Sequence, residues 1–288
     1  MGSIVGSKTL SILGIVIASA VVLALLLIGT VSVFQERIAF QPQGPPYPSA
    51  GDTPRVDYLA ADGQPLFAYI IGNRASAAGL VLVFHGNADL AVRQIDWANE
   101  LASRTGLAVM IPEYRGYAGL SGKPTYVGSR LDANAAYDYA TDSLRLPSGN
   151  IAFFGHSLGT AIATELATRH RPFALALQSP FTSARDMARL LLGRRPSTFS
   201  WNLFSRIHFD TVERVKTLDV PVSVAHGGKD RLIPSSMGRK VFESAKHRGG
   251  WLLVPEAAHN NVSNLGGDSY WQWIVKALAA PAESAVPE

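Results

Sequence analysis

The chain has 288 residues, enough for one large domain with a packed core and an appendage. With 47% hydrophobic and 17% charged residues it does not read as a disordered chain, and a net charge of +4 without a Lys/Arg-rich run gives a nucleic-acid partner no support. It has no cysteine, which excludes a disulfide framework, a thiolate metal site, a cysteine nucleophile and S-palmitoylation.

Residues 1–9 are a short tail containing Lys8. Over 10–34 no charged residue occurs and Ile, Val, Leu and Ala dominate, which predicts a single-pass transmembrane anchor, since about 20 apolar residues cross a bilayer. A cleaved signal peptide is the rival reading. Its apolar core would be about 7–15 residues and end at a small-x-small site. Here Ala18-Ser19-Ala20 lies mid-run and Leu25-Leu26-Leu27-Ile28 continues it. A buried core helix is the third reading. Lys8 and the amine flank one end, Glu36 and Arg37 the other, and the default orientation places the main domain on the non-cytoplasmic side. Residues 35–54, with Pro42, Pro45, Pro46, Pro48 and Pro54, predict an extended connector.

The main domain is expected over 55–280, with 281–288 a loose tail. Segments 55–58 and 66–71 predict a leading antiparallel pair. Strands are predicted at 80–85, 108–112, 150–154, 174–178, 222–225 and 252–254, and helices at 90–105, 130–146, 158–169 and 270–278. This alternation predicts an α/β fold: a mostly parallel central sheet with helices on both faces. Segment 181–218 breaks the pattern and carries Phe199, Trp201, Phe204, Ile207 and Phe209 with Arg194 and Arg195. It reads either as helices packed over the sheet or as a lid lining an acyl pocket.

The motif Gly155-His156-Ser157-Leu158-Gly159 follows a predicted strand and opens a predicted helix, the context a G-x-S-x-G nucleophile turn requires. Gly155, His156 and Gly159 would build the turn and Ser157 would be the nucleophile. A serine hydroxyl needs an adjacent base. Of the downstream histidines, His208 lies in the aromatic segment and His247 in a polar stretch read as helical. His226 follows the strand predicted at 222–225, and His170 follows the helix predicted at 158–169. His259 follows the last strand at the carboxyl edge, where open α/β sheets place their ligands. Asp230, in a Gly227-Gly228-Lys229-Asp230 turn past a strand end, would orient His259, and an ordinary turn aspartate is the alternative. Asp210 and Asp219 precede the strand, at the wrong edge. The oxyanion donors expected are the N–H groups of Leu158 and of Asn87, the latter in the His85-Gly86-Asn87-Ala88 loop. His85 reads as a loop organiser. No metal-ligand spacing and no dinucleotide fingerprint occurs, so no metal and no cofactor is expected. The sequon Asn261-Val262-Ser263 stands beside His259, where a glycan would obstruct the site.

A set of motifs in order over roughly 55–278 resembles the BEM46-type branch of the α/β-hydrolase superfamily, the abhydrolase domain-containing serine hydrolases. It comprises Val83-Phe84-His85-Gly86-Asn87-Ala88, Glu113-Tyr114-Arg115-Gly116-Tyr117, Ser121-Gly122-Lys123-Pro124 and the serine motif. Gln178-Ser179-Pro180-Phe181, His226-Gly227-Gly228-Lys229-Asp230 with Ile233-Pro234, and Ala258-His259-Asn260 complete it. The resemblance implies a cofactor-free serine hydrolase of ester or thioester bonds in small-molecule or lipid-like acyl substrates. The N-terminal cysteine cluster of its depalmitoylating relatives is missing. Alternatives on the same scaffold are a serine aminopeptidase, an acyltransferase or a non-catalytic binding protein.

Overall fold

The computed structural model describes residues 2–72, 79–193, 197–198, 201–202 and 205–279. Among them the strands are β1 (Arg55–Leu59), β2 (Pro65–Ile71), β3 (Leu80–Phe84), β4 (Ala108–Pro112), β5 (Ile151–His156), β6 (Leu175–Gln178), β7 (Pro221–Gly227) and β8 (His247–Val254). They form one sheet in the order β1-β2-β4-β3-β5-β6-β7-β8. β2 pairs antiparallel with β1 and β4, and every other neighbouring pair is parallel. The helices are α1 (Gly2–Ala39), α2 (Ile95–Thr105), α3 (Tyr126–Asp138), α4 (Leu158–Ala167), α5 (Ala184–Leu192), α6 (Thr211–Val215), α7 (Ser235–Ser244) and α8 (Val262–Ala277).

Strand periodicity explains why both sheet faces are covered. In β3, Leu80, Leu82 and Phe84 join the core shared with α3, α4, α6 and α7, while Val81 and Val83 join the core under α2 and α8. A strand apolar at every position is stable only between two helical layers. Burying such a side chain is worth about 1.5–3 kcal/mol. The parallel strands all end on one edge, so the loops after β3, β5, β7 and β8 converge there.

The structure moves several boundaries. The helix expected at 130–146 starts earlier as α3, because Thr125 caps it by accepting the Gly128 N–H at 2.9 Å, and its end widens into a π turn over Tyr139–Ser143. The polar stretch around His247, read as helical, is the start of β8, an edge strand whose first residues are exposed and so lack an apolar alternation. α7 was not expected as a helix, whereas α5 and α6 fall in the segment 181–218, for which helices packed over the sheet were one of the two readings. In the segment 181–218, Phe181, Ile207 and Phe209 are core residues and Trp201 is half-buried, whereas Phe199, Phe204, Arg194 and Arg195 lie outside the described residues.

α1 continues to Ala39, into the stretch expected as a connector. The side chains described in its apolar part are those of 13–23, 26, 29, 30 and 34. Among the described residues no helix is long and apolar enough to cross a membrane. Leu13, Ile15, Leu23 and Leu26 stand exposed, while Phe40, just past the helix, is 3% exposed.

Candidate active site

β5 ends at His156, and Ser157 turns the chain into α4 with φ 53° and ψ −117°, a backbone that side-chain-bearing residues rarely adopt. The two flanking glycines answer a steric demand. A Cβ at Gly155 would stand 2.3 Å from Gly159 O, and one at Gly159 would stand 1.9 Å from Phe84 O. Only bare backbone lets α4 lie this close to β5 and β3.

Ser157 thereby points into the row formed by the loops after β7 and β8. Ser157 Oγ lies 2.8 Å from His259 Nε2, and His259 Nδ1 lies 2.7 Å from Asp230 Oδ2. The carboxylate can only accept, so Nδ1 carries the proton and Nε2 accepts from the hydroxyl. All three residues are less than one-tenth exposed. Asp230 Oδ1 accepts the N–H groups of Leu232 at 2.9 Å and Ile233 at 2.8 Å, which fixes the carboxylate plane. Burial raises the pKa of this carboxyl. The hydrogen bonds from His226, His259 and the Ile233 N–H outweigh burial and hold it well below the usual carboxylate range. Such a row can pass the hydroxyl proton to the imidazole as Oγ attacks an electrophile, leaving the imidazolium beside a carboxylate.

The loop after β3 closes the other side. A Cβ at Gly86 would stand 3.0 Å from His156 Nδ1 and 3.5 Å from Ser157 Cβ, so the residue before Asn87 packs against the serine turn. The Leu158 N–H opens α4, where an amide has no acceptor within the helix. His85 lies under this loop, fully buried. Its Nδ1 donates to Gly86 O at 2.9 Å and its Nε2 meets Glu113 Oε1 at 2.8 Å. The Gly86 carbonyl can only accept, so Nδ1 carries a proton. Burial lowers its pKa, and the Glu113 carboxylate reverses this and raises it overall. Glu113 also accepts the N–H groups of Ala91 and Tyr114.

The remaining sequence candidates fall elsewhere. His247 is exposed and meets Asp219 Oδ1 at 3.2 Å. His208 is exposed against the Tyr126 ring, and His170 stacks on Tyr137. Asp210 caps α6 through the Glu213 N–H. Asn261 Oδ1 accepts the Ala258 N–H at 2.7 Å, in the loop that presents His259.

Two roles were not read from the sequence, those of His226, weighed only as a base, and of His156, named only as part of the serine turn. His226 is fully buried behind the acid, with Nε2 2.9 Å from Ile233 O and 3.3 Å from Asp230 Oδ2. Its place four residues before Asp230, at a strand end, was the available signal. His156 donates through Nε2 to the main-chain oxygen of His259 at 3.3 Å, and its ring lies against that of His259. Burial, then the neighbouring His259, pushes His156 down to about 4. No group among the described residues could hold a metal ion. Surface hollows of about 350 Å³ beside Asp52 and Asn99 and about 530 Å³ beside Tyr58 and His170 include none of these residues in their walls.

The family described as serine aminopeptidase, S33 matches residues 75–208. The chain is 31% identical over 241 residues to an uncharacterised protein of Mycobacterium tuberculosis, covering 81% of this chain and 83% of that one. It is 28% identical over 235 residues to protein bem46 of Schizosaccharomyces pombe, covering 78% and 76%. It is 33% identical over 190 residues to the lysophosphatidylserine lipase ABHD12 of Macaca fascicularis, covering 59% of this chain and 46% of that one. Among solved structures, a Pyrococcus furiosus esterase matches with a TM-score of 0.64 at 17% identity, over 83% of this chain and 98% of that one, a likeness of fold. Identity at the level of the mycobacterial relative, over most of both lengths, carries more than shared architecture: the chain belongs to the α/β-hydrolase superfamily, among the proteins of the BEM46 type.

Proposed function

We propose that the chain is a serine hydrolase that cleaves acyl esters or thioesters through Ser157, with His259 as the base and Asp230 orienting it. The observation that carries this is the unbroken hydrogen-bonded row from Ser157 Oγ through His259 to Asp230 Oδ2, mounted on a strained turn. Ser157 Oγ attacks the acyl carbon as its proton moves to His259 Nε2. The carbonyl oxygen, now an anion, lies toward the N–H groups of Asn87 and Leu158. His259 then gives that proton to the leaving alcohol or thiol as its bond to the acyl carbon breaks. An acyl-Ser157 ester remains. Water, losing its proton to His259, attacks it and releases the acid and the serine.

A lipid-like acyl substrate is supported by the similarity to a protein named as a lysophosphatidylserine lipase. The membrane reading rests on α1. It is 38 residues long, residues 10–34 contain no charge, and its described apolar side chains have no protein cover. On this reading 10–34 anchors a hydrolase domain spanning 55–280 on the non-cytoplasmic side. The matched family's description favours a second reading, an aminopeptidase on the same row. Hydrolysis of p-nitrophenyl esters of increasing chain length, set against aminoacyl p-nitroanilides, decides between them. Ester turnover that Ser157→Ala abolishes is expected. Turnover of the anilides alone would replace the proposal.

A further inference from the structure

The amide side chain of Asn87 does not face the serine. It faces the end of α1. Nδ2 donates to Ala39 O at 2.9 Å, and Oδ1 accepts the Gln41 N–H at 2.8 Å. Oδ1 also accepts the Tyr117 hydroxyl at 2.8 Å and the Ala88 N–H at 3.1 Å. An acceptor on one side and a main-chain donor on the other fix the amide's orientation without ambiguity. One side chain thus grips the main chain on both sides of residue 40, as a neighbouring strand would. Phe40 itself turns inward, 3% exposed, with its ring 6.5 Å from that of Phe209.

Further bonds hold the same stretch. Gln35 Oε1 accepts the Arg206 N–H at 2.7 Å, and Glu36 Oε1 accepts the Tyr126 N–H at 3.2 Å. The last turn of α1 is therefore wedged between the loop after β3 and the segment before α6. The Asn87 main-chain N–H follows Gly86, which abuts Ser157, and its direction is set by the rotation of the Asn87 backbone. A side chain held at both ends leaves that backbone little freedom.

We propose that Asn87, through its side chain, is a positioning residue, and that residues 39–41 after α1 act as a strap that aims the oxyanion-binding N–H. The inference rests on the serine-hydrolase reading above and adds that the N-terminal helix is part of the working site rather than a tether. Chain that begins after residue 40 lacks Ala39 O and the Phe40 plug, so its site is incomplete even though every reacting group remains.

The test uses the full chain in detergent. Gln41→Pro deletes the N–H that Oδ1 accepts, Gln41→Ala keeps it, and Asn87→Ala removes the grip altogether. Each is measured for kcat and KM on p-nitrophenyl acetate, per active site titrated with a fluorophosphonate, and for the Ki of an aryl trifluoromethyl ketone, whose hemiketal oxygen occupies the oxyanion position. A misaimed donor is expected to lower kcat about 10- to 100-fold in Gln41→Pro and Asn87→Ala, with KM nearly unchanged and Ki raised by a similar factor. Gln41→Ala is expected to restore both. If the unmutated chain turns over no ester, the hydrolase reading and this inference fall together. If it is active and both Gln41→Pro and Asn87→Ala keep kcat and Ki per titrated site, the strap alone is refuted.

Discussion

Two buried histidine–carboxylate pairs stand past strand ends on the same sheet edge, His259–Asp230 and His85–Glu113, at 2.7 and 2.8 Å. They share chemistry and differ in the third partner. His85 spends its second nitrogen on a carbonyl oxygen, Gly86 O, so that nitrogen must donate and none is left to accept from a hydroxyl. His259 turns its second nitrogen to a hydroxyl, Ser157 Oγ, so that nitrogen accepts and can take a proton. A buried ion pair is weak evidence of function by itself. An imidazole nitrogen left facing a nucleophile is what separates the proposed base from a brace under a loop.

The comparison can be broken most directly at the serine. Ser157→Ala and His259→Ala are each expected to cost about 10⁶ in kcat, because the groups act as a unit. Steady-state ester hydrolysis by the folded variants checks this. A variant of His259 with near-normal kcat would make the two pairs equivalent. Asp230→Asn is expected to cost less, on the order of 10⁴, by presenting the wrong partner to Nδ1 and so the wrong tautomer. Glu113→Gln should instead cost about 1–3 kcal/mol of stability, measured by urea denaturation, with a comparatively small change in kcat.

A smaller effect sharpens the contrast through pH. The folded His85 pKa is raised above 6.5. Its contribution is fully present below 6.5 and is lost as pH rises through the raised value, so Glu113→Gln should flatten the alkaline loss of stability. His156 has the opposite sign, about 4 in the folded chain against 6.5. The unfolded chain binds more protons between those values, so stability falls as pH drops from 6.5 toward 4, by up to about 3 kcal/mol. His156→Gln should remove that acid slope. Identical slopes in the two variants would mean that neither ring is held as the geometry implies.

Much of this was legible in the sequence because it is local. A strand such as Leu-Val-Leu-Val-Phe at 80–84 is apolar throughout because both faces are covered. The serine turn reads as strand–glycine–helix. Asp230 and His259 follow apolar runs that end on the shared edge. What stayed hidden is long-range or lacks a pattern. Asn87 meets Gln41 across 46 residues, and His226 acts behind a residue already assigned a role. The first half of β8, ahead of the strand read at 252–254, hides because an exposed edge strand opening His-Arg-Gly-Gly has no alternation.

The most direct test of the central claim is covalent. The full-length protein is treated with a fluorophosphonate and the modified peptide is mapped by mass spectrometry. The adduct is expected on Ser157 Oγ, forming rapidly in the unmutated chain and much more slowly in His259→Ala, with His85 variants still labelled once folded. A folded protein that stays unlabelled, or that carries the adduct at another residue, would contradict the account.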